Sequence, residues 1–194
     1  MKLTMYNTPI LRHIVTPLCR ISLKMRGWKL QGEPPTAAKY VLIAVPHTSN
    51  WDFPLALAIA YVYGFDMHWM GKESLFRGWR GPIMRWMGGI PITRSSSNNV
   101  VAQTIEAFNA ADSLVVAVPP EGTRSKVDKW RTGFYYIALG AKVPIALAFL
   151  DYKRKIGGFL STFHPTGDVE KDIANIRGRY SGISGKYASQ CTVE

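Results

Sequence analysis

Three short apolar runs constrain this chain more than anything else in it: Tyr40-Val-Leu-Ile-Ala-Val45, Leu114-Val-Val-Ala-Val118 and Val143-Pro-Ile-Ala-Leu-Ala-Phe-Leu150. Each is bounded by turn-forming residues and is apolar without alternation, the pattern of a strand buried on both faces of a parallel sheet. Between them the pattern turns helical, with helices expected over about 50–63, 95–111 and 130–139. Shorter strands are expected at 67–70 and 90–93, with a helical, aromatic-rich region reaching about residue 87 between them. Such alternation implies an α/β fold: a single layered domain with a mostly parallel central sheet flanked by helices, and a ligand site at the carboxyl ends of the strands. At 194 residues there is room for one such domain with a full core and none for a fusion of two enzymes. The end of the chain, 180–194, is rich in Gly and Ser and reads as loosely held.

Ahead of the first strand lies a basic arm. Lys2, Arg12, Arg20, Lys24, Arg26 and Lys29 all precede the first acidic residue, Glu33. Within it Ile10, Ile14, Leu18, Ile21 and Met25 recur at helical spacing while Arg12, Arg20 and Lys24 fall elsewhere on the wheel, which predicts an N-terminal amphipathic helix with a basic rim. The apolar stripe has two possible uses, packing on the domain or lying in a membrane interface with its cations on lipid headgroups. The break at Gly32-Glu-Pro-Pro-Thr36 divides the chain into an arm, 1–32, and a domain, 33–194.

Lys and Arg total 24 against 13 Asp and Glu, a formal charge of +11 that favours anionic partners: nucleic acid, anionic lipid or phosphorylated substrates. The longest apolar stretch, 53–65, falls short of the ~18–20 residues of a spanning helix, so no transmembrane segment is expected. The N-terminus has no apolar core for a signal peptide, and secretion is not expected. Cys19 and Cys191 have neither disulfide-framework nor zinc-site spacing and read as unpaired thiols in a reducing compartment.

The chemistry should follow the strands. Directly after the first comes Pro46-His47-Thr48-Ser49-Asn50-Trp51-Asp52. On one continuous helix His47 and Asp52 would point about 140° apart, so they meet only if His47 lies in a turn and Asp52 in the first turn of the helix that follows. Thr48, Ser49 and Asn50 are suitable cap residues for that turn. So placed, Asp52 could hold one imidazole nitrogen and leave the other to take a proton from a hydroxyl. Taken alone, an H-x-x-x-x-D match is more often a histidine satisfied by a helix start.

Further segments fall at later strand ends: Gly88-Gly-Ile-Pro-Ile-Thr-Arg94, Val118-Pro-Pro-Glu-Gly-Thr-Arg124 and Val143-Pro-Ile145. With His47 and Asp52 these four ordered motifs resemble the glycerolipid acyltransferase family, of the 1-acylglycerol-3-phosphate O-acyltransferase type, over about 40–150. The resemblance implies that His47 is a general base partnered by Asp52. The hydroxyl of a lysophospholipid acceptor then attacks an acyl thioester directly, without an acyl-enzyme. It also implies that Arg94, Glu121, Gly122, Thr123 and Arg124 bind the acceptor and its phosphate. Guanidinium forks suit a phosphomonoester, and Gly122 permits close backbone approach. Glu121, itself an anion, is expected to orient Arg124 or a glycerol hydroxyl, or else to form a buried ion pair. The family's third motif usually begins with an aromatic where this chain has Pro119, and Leu147 replaces a frequent proline. Neither position is polar, so altered pocket packing is expected and not loss of chemistry. Lys72-Glu73-Ser74-Leu75 resembles a further family segment, and near it Trp79 and Trp86 suit either a lipid interface or the core. The Arg131-Thr-Gly133 segment reads as structural.

No cofactor or metal is expected, the co-substrate being acyl-CoA or an acyl carrier protein thioester. The implied setting is peripheral, at the cytoplasmic face of an anionic membrane. Three other readings compete: an acyltransferase for another lyso-lipid such as an ornithine lipid or glycolipid, a non-catalytic lipid-binding module, and a nucleic-acid binder suggested by charge alone. The last lacks a recognition motif, and no nucleic-acid partner is expected. A metal hydrolase built on His47, His68, His164 and Asp52 lacks any ligand spacing.

Overall fold

The computed structural model describes residues 3–93 and 97–191. Its strands are β1 (Lys29–Gln31), β2 (Lys39–Val45), β3 (Met67–Lys72), β4 (Gly89–Ile92), β5 (Leu114–Ala117), β6 (Ile145–Asp151) and β7 (Ile156–Phe163). They form one sheet in the order β1-β7-β6-β2-β5-β3-β4. Every neighbouring pair is parallel except β6 and β7, an antiparallel hairpin. The helices are α1 (Leu11–Met25), α2 (Asp52–Tyr63), α3 (Arg80–Trp86), α4 (Ser97–Asn109), α5 (Gly133–Ala141) and α6 (Val169–Gly178). This is the layered α/β domain that the alternating runs imply.

The central strands are apolar throughout because both faces of the sheet are covered. Val41, Ile43 and Val45 of β2, with Val116 of β5 and Ile145, Leu147 and Phe149 of β6, pack under α4, α5 and α6 through Phe108, Phe134, Ile137 and Ile176. Tyr40, Leu42, Val115 and Ala146 face the other way, towards α2 and α1. Leu147 is fully buried on the α4–α6 side. On the α2 side the upper ends of three adjacent strands carry only alanines: Ala44 and Ala148 are register partners, and Ala117 pairs with Leu42 one step below. Side chains this small leave the space between sheet and helix unfilled.

In α1 the side chains that pack towards α2 are Leu11, Val15, Cys19 and Leu23, which also recur at helical spacing. The stripe formed by Ile10, Ile14, Leu18, Ile21 and Met25 faces outward, 53–82% exposed. α1 thus packs on the domain, but through a different set of side chains from the stripe the spacing picked out. Trp79, Ile83 and Trp86 around α3 are exposed as well, while Phe76 is buried. Trp86 donates to Thr8 Oγ1 at 2.9 Å, which brings α3 beside the segment leading into α1.

Other departures have physical reasons. The arm segment 29–31 becomes edge strand β1, pairing with β7 from Lys29↔Ile156 to Gln31↔Gly158, a partner far away in sequence. Over its described part, 180–191, the tail is not loose, because Tyr180, Ile183 and Cys191 are buried and act as apolar anchors among the glycines and serines. Tyr180 meets Trp130 edge-on at 5.9 Å, and the Tyr187 amide donates to Thr48 Oγ1 at 3.3 Å.

Candidate active site

The turn after β2 places His47 at the carboxyl end of the sheet, and α2 begins at Asp52. The His47 Nδ1 lies 3.1 Å from Asp52 Oδ2, and the same oxygen accepts the amides of Thr48 and Ser49, each at 2.9 Å. The carboxylate thus fastens the turn that carries the histidine. Of the expected cap residues only Ser49 serves, its hydroxyl accepting from the Trp51 amide at 3.2 Å. The helix start at Trp51 receives no side-chain cap of its own, because Asp52 reaches back over the turn instead. Asp52 Oδ1 accepts from the Tyr152 hydroxyl at 2.7 Å.

Burial pushes the Asp52 carboxyl up, but hydrogen bonds from His47, Tyr152 and the Ser49 amide outweigh it, and the group ionises below its ordinary range. An ionised Asp52 can only accept, so the proton of a neutral His47 sits on Nδ1 and the lone pair on Nε2.

Glu121 lies in the turn after β5 and is 2% exposed. Its Oε2 accepts from the His47 backbone N–H at 2.8 Å, and among the described residues Oε1 has no partner. Burial, assisted by the nearby Asp52 charge, pushes its carboxyl up to about 7 although the His47 amide and ring oppose this. Glu121 was expected to orient Arg124 or a glycerol hydroxyl, or to form a buried ion pair; among the described residues it forms no salt bridge, and it holds the backbone of His47. Sequence reasoning had no access to this bond, which spans 74 residues and ends on a main-chain atom.

Gly122 has φ +67°, a conformation that favours glycine, and a Cβ there, 2.6 Å from the Arg131 side chain, would have to displace it. Thr123 and Arg124 follow on the surface. Gln190, with its amide nitrogen turned inward, donates to the carbonyls of Arg124 at 2.8 Å and Thr48 at 3.0 Å, tying the tail to both loops. Arg94 lies outside the described residues. Arg131, read from the sequence as structural, stands with Arg124 at the rim of the cavity. Its closeness to the Gly-Thr-Arg turn in sequence was the available signal.

The unfilled space above the alanines opens beside His47 as a cavity of about 1110 Å³. Phe53, Ala56, Ile59, Met67 and Phe159 line it on the α2 side, and His47, Asp52, Pro119, Arg124 and Arg131 border it. It therefore offers an apolar lining with an imidazole and two guanidinium groups at its border. His47, His68 and His164 are not gathered with Asp52: no group of three metal-ligating side chains occurs among the described residues.

An α/β domain with an imidazole–carboxylate pair at the mouth of an apolar cavity is equipped to deprotonate a hydroxyl beside a hydrophobic chain. The chain belongs to the acyltransferase family, whose model matches residues 28–147, more than half its length. In fold it is similar to the 1-acyl-sn-glycerophosphate (LPA) acyltransferase PlsC from Thermotoga maritima. The crystal structure of that protein matches with a TM-score of 0.63 at 15% identity, over 87% of this chain and 76% of the other. No curated protein matches the sequence.

Proposed function

We propose that this acyltransferase works at a membrane surface, moving an acyl chain from acyl-CoA or acyl carrier protein to the hydroxyl of a lysophospholipid such as 1-acylglycerol-3-phosphate. The observation that carries the reading is the Asp52-backed His47 at the mouth of the apolar cavity, with Arg124 and Arg131 on its rim. His47 Nε2 takes the acceptor's hydroxyl proton as the oxygen attacks the thioester carbonyl. The tetrahedral adduct collapses, the C–S bond breaks, and the imidazolium returns its proton to the departing thiolate. Asp52 stabilises the imidazolium, and no acyl-enzyme is needed. The acyl chain occupies the cavity. Arg124 and Arg131, with Arg94, Thr123 and the backbone at Gly122, hold the acceptor phosphate.

Membrane association is supported by the outward stripe of α1 and by Trp79, Ile83 and Trp86, flanked by exposed Arg12, Arg20, Lys24, Arg77 and Arg80. Apolar side chains at 36–82% exposure gain by entering an interface, and the cations gain from anionic headgroups. Among the described residues no helix is long and apolar enough to cross a membrane. The protein is thus read as peripheral, on the cytoplasmic face where its thioester donors are found.

The test follows thiol release from palmitoyl-CoA and from acyl carrier protein thioester, with lysophosphatidate in anionic vesicles. Acceptor-dependent release is expected, and His47→Ala should lower it by about 10²- to 10⁴-fold while leaving vesicle binding intact. Equal turnover in the variant would remove the general-base role. No release with any lyso-lipid, despite vesicle binding, would favour a non-catalytic lipid binder.

A further inference from the structure

A tyrosine outside every motif touches the site from the far side. Tyr152 follows β6, and its hydroxyl donates to Asp52 Oδ1 at 2.7 Å, the shortest of the contacts on that carboxylate. The other oxygen, Oδ2, is occupied by His47 Nδ1 and two turn amides. Without the tyrosine Oδ1 would be a buried anionic oxygen with no partner among the described residues, free to swing towards the amides or to take water.

The ring of Tyr152 is itself constrained. Trp28 meets it edge-on, with centroids 5.1 Å apart and planes at 89°, and both pack into the cluster formed by Leu23, Ile59 and Leu150. The Tyr152 amide donates to the Ser184 carbonyl at 2.9 Å, which fixes the backbone from the tail side. Burial and the neighbouring Asp52 raise the phenol above its ordinary value, so it remains a donor at any working pH.

We propose that Tyr152 is a positioning residue for the candidate dyad, forming a chain Tyr152–Asp52–His47 that fixes which carboxylate oxygen faces the imidazole. The inference rests on the acyl-transfer reading for its kinetic consequence, but the geometry it asserts belongs to the free protein. A ring nitrogen aimed by a carboxylate that can rotate spends less time in the reactive orientation, which affects the chemical step and not substrate binding.

Tyr152→Phe removes the oxygen and keeps the contact with Trp28. In the thiol-release assay kcat is expected to fall about tenfold, equivalent to about 1.4 kcal/mol, with both KM values unchanged within about twofold. In an Asp52→Ala background the same substitution should cost nothing further, since the tyrosine acts through the carboxylate. NMR of ¹⁵N-histidine-labelled free protein gives a second readout. The His47 ring resonances should shift in Tyr152→Phe, while those of His13, His68 and His164 stay in place. Unchanged kcat with unchanged His47 resonances overturns the proposal, as does an equal loss in both backgrounds. If the parent protein releases no thiol with any donor, the acyl-transfer reading fails separately, and the resonances alone decide the positioning.

Discussion

Replacing Glu121 by glutamine should make the protein's stability less dependent on pH, in a direction the structure specifies. The carboxyl is 2% exposed, has one oxygen without a partner among the described residues, and is pushed from an ordinary 4.5 up to about 7. Below pH 4.5 native and unfolded chains both hold the proton. Between 4.5 and about 7 the unfolded chain has released it and the native protein has not. Native protein then binds more protons than unfolded, and stability falls as pH rises, levelling off above about 7. The interval corresponds to about 3 kcal/mol, a large part of the 5–15 kcal/mol that holds a typical domain together.

Glu121→Gln keeps an oxygen to accept the His47 amide and has nothing to ionise. The variant should gain about 3 kcal/mol relative to the parent between pH 4.5 and about 8. His68, whose pKa burial lowers, and Asp66, whose pKa burial raises, add their own pH dependence. They are common to both proteins and cancel in the difference. Urea unfolding followed by tryptophan fluorescence at four or five pH values measures it. Parallel stability–pH curves for parent and variant would refute the reasoning, because they would mean that Glu121 ionises in the native state as readily as in the unfolded chain.

Other expectations follow from the same geometry. Changing Ile14, Leu18 and Ile21 together to serine should leave stability within about 0.5 kcal/mol per site, since all three are already exposed. Co-sedimentation with anionic vesicles should nonetheless fall by about tenfold or more, each side chain contributing up to roughly 1.5–3 kcal/mol when buried; undiminished binding would dissociate α1 from the membrane. Arg124→Ala should raise the KM for a phosphate-bearing acceptor by about tenfold or more, the scale of a lost charge-assisted hydrogen bond, with the donor's KM unaltered. Equal KM values would take the phosphate away from this arginine.

Local pattern carried much of the architecture. The runs at 40–45, 114–118 and 143–150 could bury their apolar surface only in a two-sided sheet, and the observed strands begin or end within about two residues of them. The His47–Asp52 contact was also legible, since five residues across a turn and a helix start leave few ways for the two side chains to meet. The orientation of α1 was not. Its sequence carries two apolar stripes, and only the surface of α2 decides which one is covered.

What the sequence determined by itself is the class of fold, the order of elements from β2 to β6 and the His–Asp pair, because each depends on side-chain periodicity or on neighbours a few residues apart. Tertiary structure alone decided the rest. Glu121 reaches the His47 amide across 74 positions, Tyr152 reaches Asp52 across 100, and the cavity exists because Ala44, Ala117 and Ala148 fall on one face of adjacent strands. Strand order and register set those distances, and they arise from long-range pairing that no local pattern encodes.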